Sequence, residues 1–68
     1  MTREQAAIVA AMAGARALTL HEIAEMVGTE AYDIVADMRA LEAAGRVRRL
    51  NTGSPTYWAR TDLLEGLV

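Results

Sequence analysis

Four arginines stand close together near the end of the chain, with no acidic residue among them. They are Arg46, Arg48, Arg49 and Arg60, and residues 46–60 contain neither Asp nor Glu. A guanidinium group binds phosphate and carboxylate groups through paired hydrogen bonds. This segment therefore predicts an anion-binding surface, although the formal net charge of the chain is -2. The alternative is that these arginines form solvated ion pairs of little energetic value with Glu25, Asp37 or Glu42.

The side chains needed for catalysis are scattered or missing. The chain has no cysteine and one histidine, His21, which has only the carboxylates of Glu22 and Glu25 near it in sequence. Ser54 has no basic neighbour that could activate its hydroxyl group. No nucleophile–base pair, nucleotide-binding glycine loop or ligand cluster is recognisable. We therefore expect a binding protein that is not an enzyme and that carries no metal and no cofactor.

A helix that could carry a binding surface is predicted between Thr29 and Gly45. Thr29 suits the N-cap, and Gly45 suits the left-handed residue after the helix end. Between them, apolar residues recur with helical spacing at Ile34, Met38 and Leu41. If these three face the core, the outward side carries Glu30, Ala31, Tyr32, Val35, Ala36 and Arg39.

This outward side offers few groups that read DNA. Arg39 can pair with guanine, and Tyr32 can reach a phosphate or a base. Val35 and Ala36 offer only apolar contact, for example to a thymine methyl group. Glu30, Asp33 and Asp37 repel phosphates unless they are neutralised or turned aside. With Glu42, the helix has four acidic residues against one arginine.

Two shorter helices precede this one. Thr2 and Gln5 have the spacing of a capping box, which predicts a helix from Thr2 to Ala13 that ends at Gly14. Thr19 and Glu22 have the same spacing, and they open a second helix that Gly28 closes. A short extended strand is expected within residues 15–18. Because only a tight glycine turn separates the second and third helices, they should cross steeply as a helix-turn-helix.

The pattern changes after Gly45 to that of a β-hairpin. Residues 47–50 and 56–60 read as strands, and the loop between them is rich in turn-forming residues. Tyr57 and Trp58 should lie on opposite faces, so that one of them is buried. We expect Trp58 in or near the core, with its ring near Arg39 in a cation–π contact. The apolar tail, residues 61–68, could form one helical turn capped by Thr61 or Asp62.

The length and composition indicate one small domain. A chain of 68 residues buries only roughly 60% of its unfolded surface, so its stability should be marginal. We assign residues 1–60 to the domain and residues 61–68 to a tail that packs or contributes to a dimer. No apolar run is long enough to span a membrane and no signal peptide opens the chain, so we expect a cytoplasmic protein.

The run Met38, Leu41, Glu42, Gly45 and Val47 resembles the third helix and following strand of bacterial winged-helix regulators of the MarR and ArsR kinds. The stretch TLHEIAEMVGT is similar to their supporting helix and turn. The resemblance spans about residues 2–60. It implies an α+β winged helix-turn-helix fold, with three helices and a two- or three-stranded antiparallel sheet, and a function in binding DNA.

The loop and second strand carry a narrower resemblance. GSPTYW, residues 53–58, is similar to the Gly-Thr-Pro-Pro-Leu-Trp wing of Zα domains, which bind left-handed nucleic acid. Pro55 and Trp58 match that motif. The Asn and Tyr of the Zα third helix fall on Val35 and Arg39, and the second wing proline falls on Thr56. The resemblance therefore implies a similar wing and does not extend to Z-form binding.

Two functions follow from these patterns. In the first, the protein is a transcriptional regulator from a bacterium or phage that binds double-stranded DNA, with a homodimer expected because one module covers one half-site. In the second, the domain binds a protein partner through the uncharged patch at Val35 and Ala36. The DNA-binding prediction comprises Tyr32, Val35, Ala36, Arg39, Arg46, Arg48, Arg49, Asn51, Thr52, Trp58 and Arg60.

Overall fold

The computed structural model describes residues 1–14 and 17–62. They form three α-helices, three short strands and a 3-10 turn that stands before the last helix. In chain order the elements are α1 (Arg3–Ala11), β1 (Leu18–Thr19), α2 (Leu20–Val27), the 3-10 turn (Ala31–Asp33), α3 (Val35–Ala43), β2 (Val47–Arg49) and β3 (Tyr57–Arg60).

The helix starts follow the local signals in the sequence. Both predicted capping boxes are present, with Thr2 and Gln5 opening α1 and Thr19 and Glu22 opening α2. In each, the threonine hydroxyl accepts a backbone N–H, and the longer side chain accepts the N–H of the threonine. These bonds satisfy donors that the first turn of a helix leaves free. Helix α1 ends at Ala11, earlier than the predicted Ala13.

Helices α2 and α3 end in the same way. Gly28 and Gly45 have positive φ angles of 89° and 75°, a conformation that costs glycine little. After α2, the Thr29 N–H donates to the Ala24 carbonyl at 2.9 Å. After α3, the Arg46 N–H donates to the Leu41 carbonyl at 2.9 Å. Both ends are Schellman motifs, which close the last turn and redirect the chain.

The third helix begins later than predicted. The Thr29 hydroxyl donates to Asp33 Oδ2 at 3.1 Å and does not cap a backbone N–H. A 3-10 turn follows, closed by a bond of 3.2 Å from the Ile34 N–H to the Ala31 carbonyl. Ile34 then leaves the helical region, with a φ of -105°, and α3 begins at Val35. Ala31, predicted on the outward side, packs against the core instead.

The strands form one antiparallel sheet with β3 in the centre, in the order β1-β3-β2. Leu18 of β1 faces Trp58, and Arg49 of β2 faces Trp58 from the other side. The short strand expected within residues 15–18 is found at Leu18–Thr19, and Ala15 and Arg16 lie outside the described residues. Because side chains alternate along a strand, Val47, Arg49, Trp58 and Arg60 share one face, and Arg48 lies on the other.

The core forms where the three helices meet this face of the sheet. It contains Ile8, Met12, Ile23, Ala24, Ile34, Met38, Leu41, Val47 and Trp58. The Trp58 side chain is only 8% exposed, whereas Tyr57 is 41% exposed. This confirms that the two aromatic residues divide between the faces, with the tryptophan inside.

A helix, a strand, two further helices and a hairpin whose last strand pairs with the first strand constitute a winged-helix layout. The predicted α+β class and three-stranded sheet are confirmed. None of the described helices has the length and apolar character that a bilayer crossing requires. The predicted tail, residues 61–68, begins with Thr61 and Asp62 in helical conformation. Its predicted contact surface lies in residues 63–68, which are outside the described residues.

Candidate nucleic-acid interface

The exposed side of α3 carries small side chains and is nearly uncharged. Ala36, Ala40 and Ala43 are exposed along it, and Val35 is half-buried at its start. Arg39 is the only charged residue on this side of α3 among the residues described, and no hydrogen bond or ion pair to another of them occupies its guanidinium group. This side therefore allows a partner to approach the helix backbone closely and offers it one cation.

Three of the four carboxylates in this region are engaged with other side chains. Asp37 is half-buried, and its Oδ1 accepts a hydrogen bond from Gln5 of α1 at 3.3 Å. Asp33 accepts the Thr29 hydroxyl, and Glu42 forms an ion pair with Arg49. Glu30 is exposed just before the 3-10 turn. Among the described residues, Glu42 is the one of these carboxylates that is paired with a cation, whereas the partners of Asp33 and Asp37 are neutral and leave their negative charge in place.

Arg49 connects α3 with the hairpin. Its Nε and Nη2 donate to the two oxygens of Glu42 at 2.9 and 3.1 Å. Its guanidinium carbon also lies 5.5 Å from the centre of the Trp58 ring. The hydrogen bond and the charge of Glu42 raise the pKa of Arg49 above its ordinary value. The guanidinium group is thus held in one orientation by two different partners.

The prediction that Arg39 stacks on Trp58 named the wrong arginine. The cation–π contact found at this ring within the described residues is made by Arg49. The physical reason is the strand register, which places Arg49 directly opposite Trp58 on the same face of the sheet. Arg39 instead lies on the neighbouring wall of a groove that both arginines line.

This groove, which we call the helix–wing groove, lies between α3 and the hairpin. It has a volume of about 150 Å³, and Val35, Met38 and Trp58 contribute its apolar lining. Its charged lining consists of Arg39, Glu42 and Arg49. The structure therefore brings Val35, Arg39, Arg49 and Trp58 of the predicted site together.

The other three arginines predicted in residues 46–60 are placed differently from Arg49. Arg48 is exposed on the opposite face of the sheet from Arg49. Arg60 is half-buried, donates to Asp62 at 2.6 and 3.0 Å and also donates to the Val9 carbonyl at 3.3 Å. Arg46 is exposed near Arg60, and both line a cavity beside Gly45. Arg46 and Arg60 thus lie at the far end of the hairpin from its loop.

The hairpin loop is closed by its own side chains. The amide oxygen of Asn51 accepts the Tyr57 N–H at 2.8 Å, and its amide nitrogen donates to the Pro55 carbonyl at 3.0 Å. The Thr56 hydroxyl donates to the Gly53 carbonyl at 2.9 Å. Asn51, predicted as a DNA contact, therefore has both amide groups committed to the loop. Thr52 is exposed at its tip.

Two further residues considered in the sequence lie on the surface. Tyr32 is 76% exposed on the 3-10 turn, and His21 is exposed in the first turn of α2. Across the described part of the chain, no three His, Cys, Asp or Glu residues lie close enough together to hold a metal ion.

The sequence offered an ion pair between a hairpin arginine and Glu42 as the alternative interpretation, and Arg49 forms that pair. It did not identify the contact of Gln5 with Asp37. Gln5 was assigned only to a capping box, but its amide nitrogen also binds Asp37. The spacing of Glu42 and Arg49 across a helix end and a strand start gives no periodic signal. The Asn at the start of a turn, by contrast, was a recognisable signal for loop closure.

No protein-family model matches the chain. No curated protein matches it either. The function is therefore inferred from the geometry.

Proposed function

We propose that the protein is a winged-helix DNA-binding protein of the MarR or ArsR kind that acts in transcription regulation. In this proposal α3 enters the major groove, and the hairpin, residues 47–60, is the wing that lies along the backbone. Arg39 supplies the base or phosphate contact on α3, with Ala36 and Val35 against the groove. Tyr32 contacts the backbone at the start of the helix, and Arg48 and Thr52 contact it from the wing.

The main support is the arrangement of charge on α3. The helix exposes a row of alanines with one arginine, Arg39, that has no partner among the described residues. On this side a DNA backbone therefore meets Arg39, while Asp37 is half-buried against α1 and Glu42 is paired with Arg49. The wing arginine Arg49 lies beside it in the same groove.

The proposal also includes the setting of the protein. A regulator of this kind works in the cytoplasm of a bacterial cell or of a cell infected by a phage. Its affinity for DNA would rise through a two-fold dimer, because the two α3 helices could then occupy half-sites one helical turn apart.

The test is the binding of a labelled duplex of mixed sequence, followed by fluorescence anisotropy from low to physiological salt. We expect binding that weakens steeply with salt, with the logarithm of the affinity falling by about 0.9 per tenfold rise in salt for each neutralised phosphate. The Arg39→Gln and Arg48→Gln variants should bind several-fold more weakly. Arg3→Gln is the control, because it removes the same single positive charge from an exposed position on α1. It should bind like the wild type.

The second candidate function is a protein-interaction module, and the exposure of Tyr32 next to the uncharged Ala36 and Val35 favours it. In this case the same surface meets a protein, and the acidic residues Glu30 and Asp33 surround it. If the wild type fails to bind duplex even at low salt, the DNA-binding proposal is lost and this second function is the one that fits the surface.

A further inference from the structure

We propose that the helix–wing groove is a seat for a single phosphate group of the DNA backbone, held jointly by Arg39 and Arg49. The inference rests on the proposed function and goes further, because it assigns two arginines from different elements to one phosphate. It also gives Glu42 and Trp58 a role as positioning residues.

Arg49 keeps hydrogen-bond donors that Glu42 does not use. A guanidinium group has five N–H donors. Glu42 takes the Nε hydrogen and one of the Nη2 hydrogens. Both Nη1 hydrogens and the second Nη2 hydrogen have no partner among the described residues. Arg49 is therefore fixed by one edge of its guanidinium group and keeps another edge available for an anion.

The guanidinium group of Arg49 is held in position by two neighbours. The side chain is braced by the two bonds to Glu42 and by the Trp58 ring, whose centre lies 5.5 Å from the guanidinium carbon. Trp58 itself is only 8% exposed and belongs to the core. A braced guanidinium group loses little conformational entropy when it binds, so its available donors are organised in advance.

Arg39 lies at the same groove. Arg39 and Glu42 are three residues apart on α3, so they are neighbours on one side of the helix. Arg39 is exposed, has no described partner and lines the groove together with Arg49. It can therefore approach from the helix the same anion that Arg49 approaches from the wing.

The charges of the groove fit one phosphodiester. Two guanidinium groups and the Glu42 carboxylate leave one net positive charge, which a single phosphodiester neutralises. The apolar lining from Val35, Met38 and Trp58 excludes water from one side of the site. Charge-assisted hydrogen bonds are stronger in such surroundings than in open solvent.

The chemistry recognised is a phosphate group, which could come from DNA or from a free ion. We assign it to the DNA backbone because the groove adjoins the row of exposed alanines on α3, Ala36, Ala40 and Ala43. These side chains leave room for a duplex to lie against the helix, with a phosphate at the edge of the groove.

The decisive experiment compares the salt dependence of duplex binding in four proteins. They are the wild type, R39Q, the double variant E42Q/R49Q and the triple variant R39Q/E42Q/R49Q. The double variant removes the ion pair without changing the net charge, so a general electrostatic effect leaves its binding unchanged. R3Q provides the matched loss of one positive charge, and circular dichroism checks that each variant is folded.

If both arginines hold one phosphate, R39Q and E42Q/R49Q each lose several-fold in affinity. The slope of the logarithm of affinity against the logarithm of salt concentration then decreases in each variant by clearly less than about 0.9, because the other arginine still neutralises that phosphate. In the triple variant this slope decreases by about 0.9 in total. A decrease of about 1.8 in the triple variant shows that the two arginines neutralise two separate phosphates, and it overturns the shared seat.

The remaining outcomes separate the seat from the proposed function. If the wild type binds duplex and E42Q/R49Q binds equally well, the seat is wrong while DNA binding stands. If the wild type binds no duplex at any salt concentration, both proposals fall.

An NMR measurement distinguishes the two sources of phosphate through the Arg49 side-chain N–H signal. We expect this signal to move when duplex is added and to move far less with inorganic phosphate at the same ionic strength. Movement with inorganic phosphate but not with duplex would assign the groove to a free anion and overturn the inference.

Discussion

Glu22 and Thr19 hold the first turn of α2 together by exchanging hydrogen bonds. The Glu22 carboxylate accepts the Thr19 backbone N–H at 2.9 Å, and the Thr19 hydroxyl accepts the Glu22 N–H at 3.2 Å. The backbone N–H, followed by the hydroxyl group, lowers the pKa of Glu22 below its ordinary value. The ionised carboxylate is therefore better stabilised in the folded protein than in the unfolded chain.

This pKa shift predicts a stability that depends on pH. Because the pKa of Glu22 is lower in the folded protein, its ionised carboxylate stabilises the fold above the pKa of the unfolded chain. This stabilisation is lost as pH falls through the pKa of the folded protein. Glu22→Gln keeps an acceptor for the capping box but cannot ionise. The wild type should therefore be more stable than E22Q near neutral pH, and the difference should vanish on acidification. Urea unfolding across pH measures this, and a difference that stays constant with pH contradicts it.

The turn between α2 and the 3-10 turn depends on the backbone of one residue. Gly28 has a φ of 89°, and its N–H donates to the Ala24 carbonyl at 2.9 Å. A Cβ atom added there would meet no atom within 4 Å. A substitution is therefore opposed by the left-handed backbone conformation and not by crowding.

Gly28→Ala should lower the free energy of unfolding by about 1–2 kcal/mol, the cost of the left-handed conformation for a residue with a Cβ atom. Gly14→Ala is the matched control, because Gly14 has no positive φ and its added Cβ also meets no atom within 4 Å. This control should change stability by less than about 0.5 kcal/mol. Urea denaturation measures the free energy of unfolding of both variants. Equal losses would show that the left-handed backbone at Gly28 does not set the cost of the substitution.

The whole molecule depends on a small shared core. Helices α1, α2 and α3 and the sheet all contribute to one cluster of buried side chains. The Cα radius of gyration is 10.9 Å. A domain of this size has a free energy of unfolding of about 3–10 kcal/mol. Loss of a single core side chain therefore removes a large part of this free energy of unfolding.

Leu41→Ala should lower the free energy of unfolding by about 2–5 kcal/mol and lower the thermal midpoint strongly. Leu41 is 2% exposed and lies between α3 and the rest of the core. The same substitution at Leu50, which is 43% exposed on the wing, should cost less than about 1 kcal/mol. Thermal unfolding followed by circular dichroism compares them, and similar midpoints would contradict the assigned core.

The features that the sequence alone determined are those made by residues close together in the chain. Thr2 with Gln5, and Thr19 with Glu22, are three residues apart, and the glycine helix ends involve bonds across a single turn. The spacing of Ile34, Met38 and Leu41 likewise identified the buried side of the third helix. Such interactions depend on local geometry, so residue types and spacing are sufficient to predict them.

The tertiary structure decided which groups meet across elements. A shift of one residue in the β2–β3 register would exchange the faces of Arg48 and Arg49, and the composition of the strand would be the same in both cases. The observed register places Arg49 opposite Trp58 and within reach of Glu42. It places Arg39 on the other wall of the groove, where no described residue pairs with it. The pairing of charges on this surface was therefore set by strand register and helix packing, which involve residues distant in the chain.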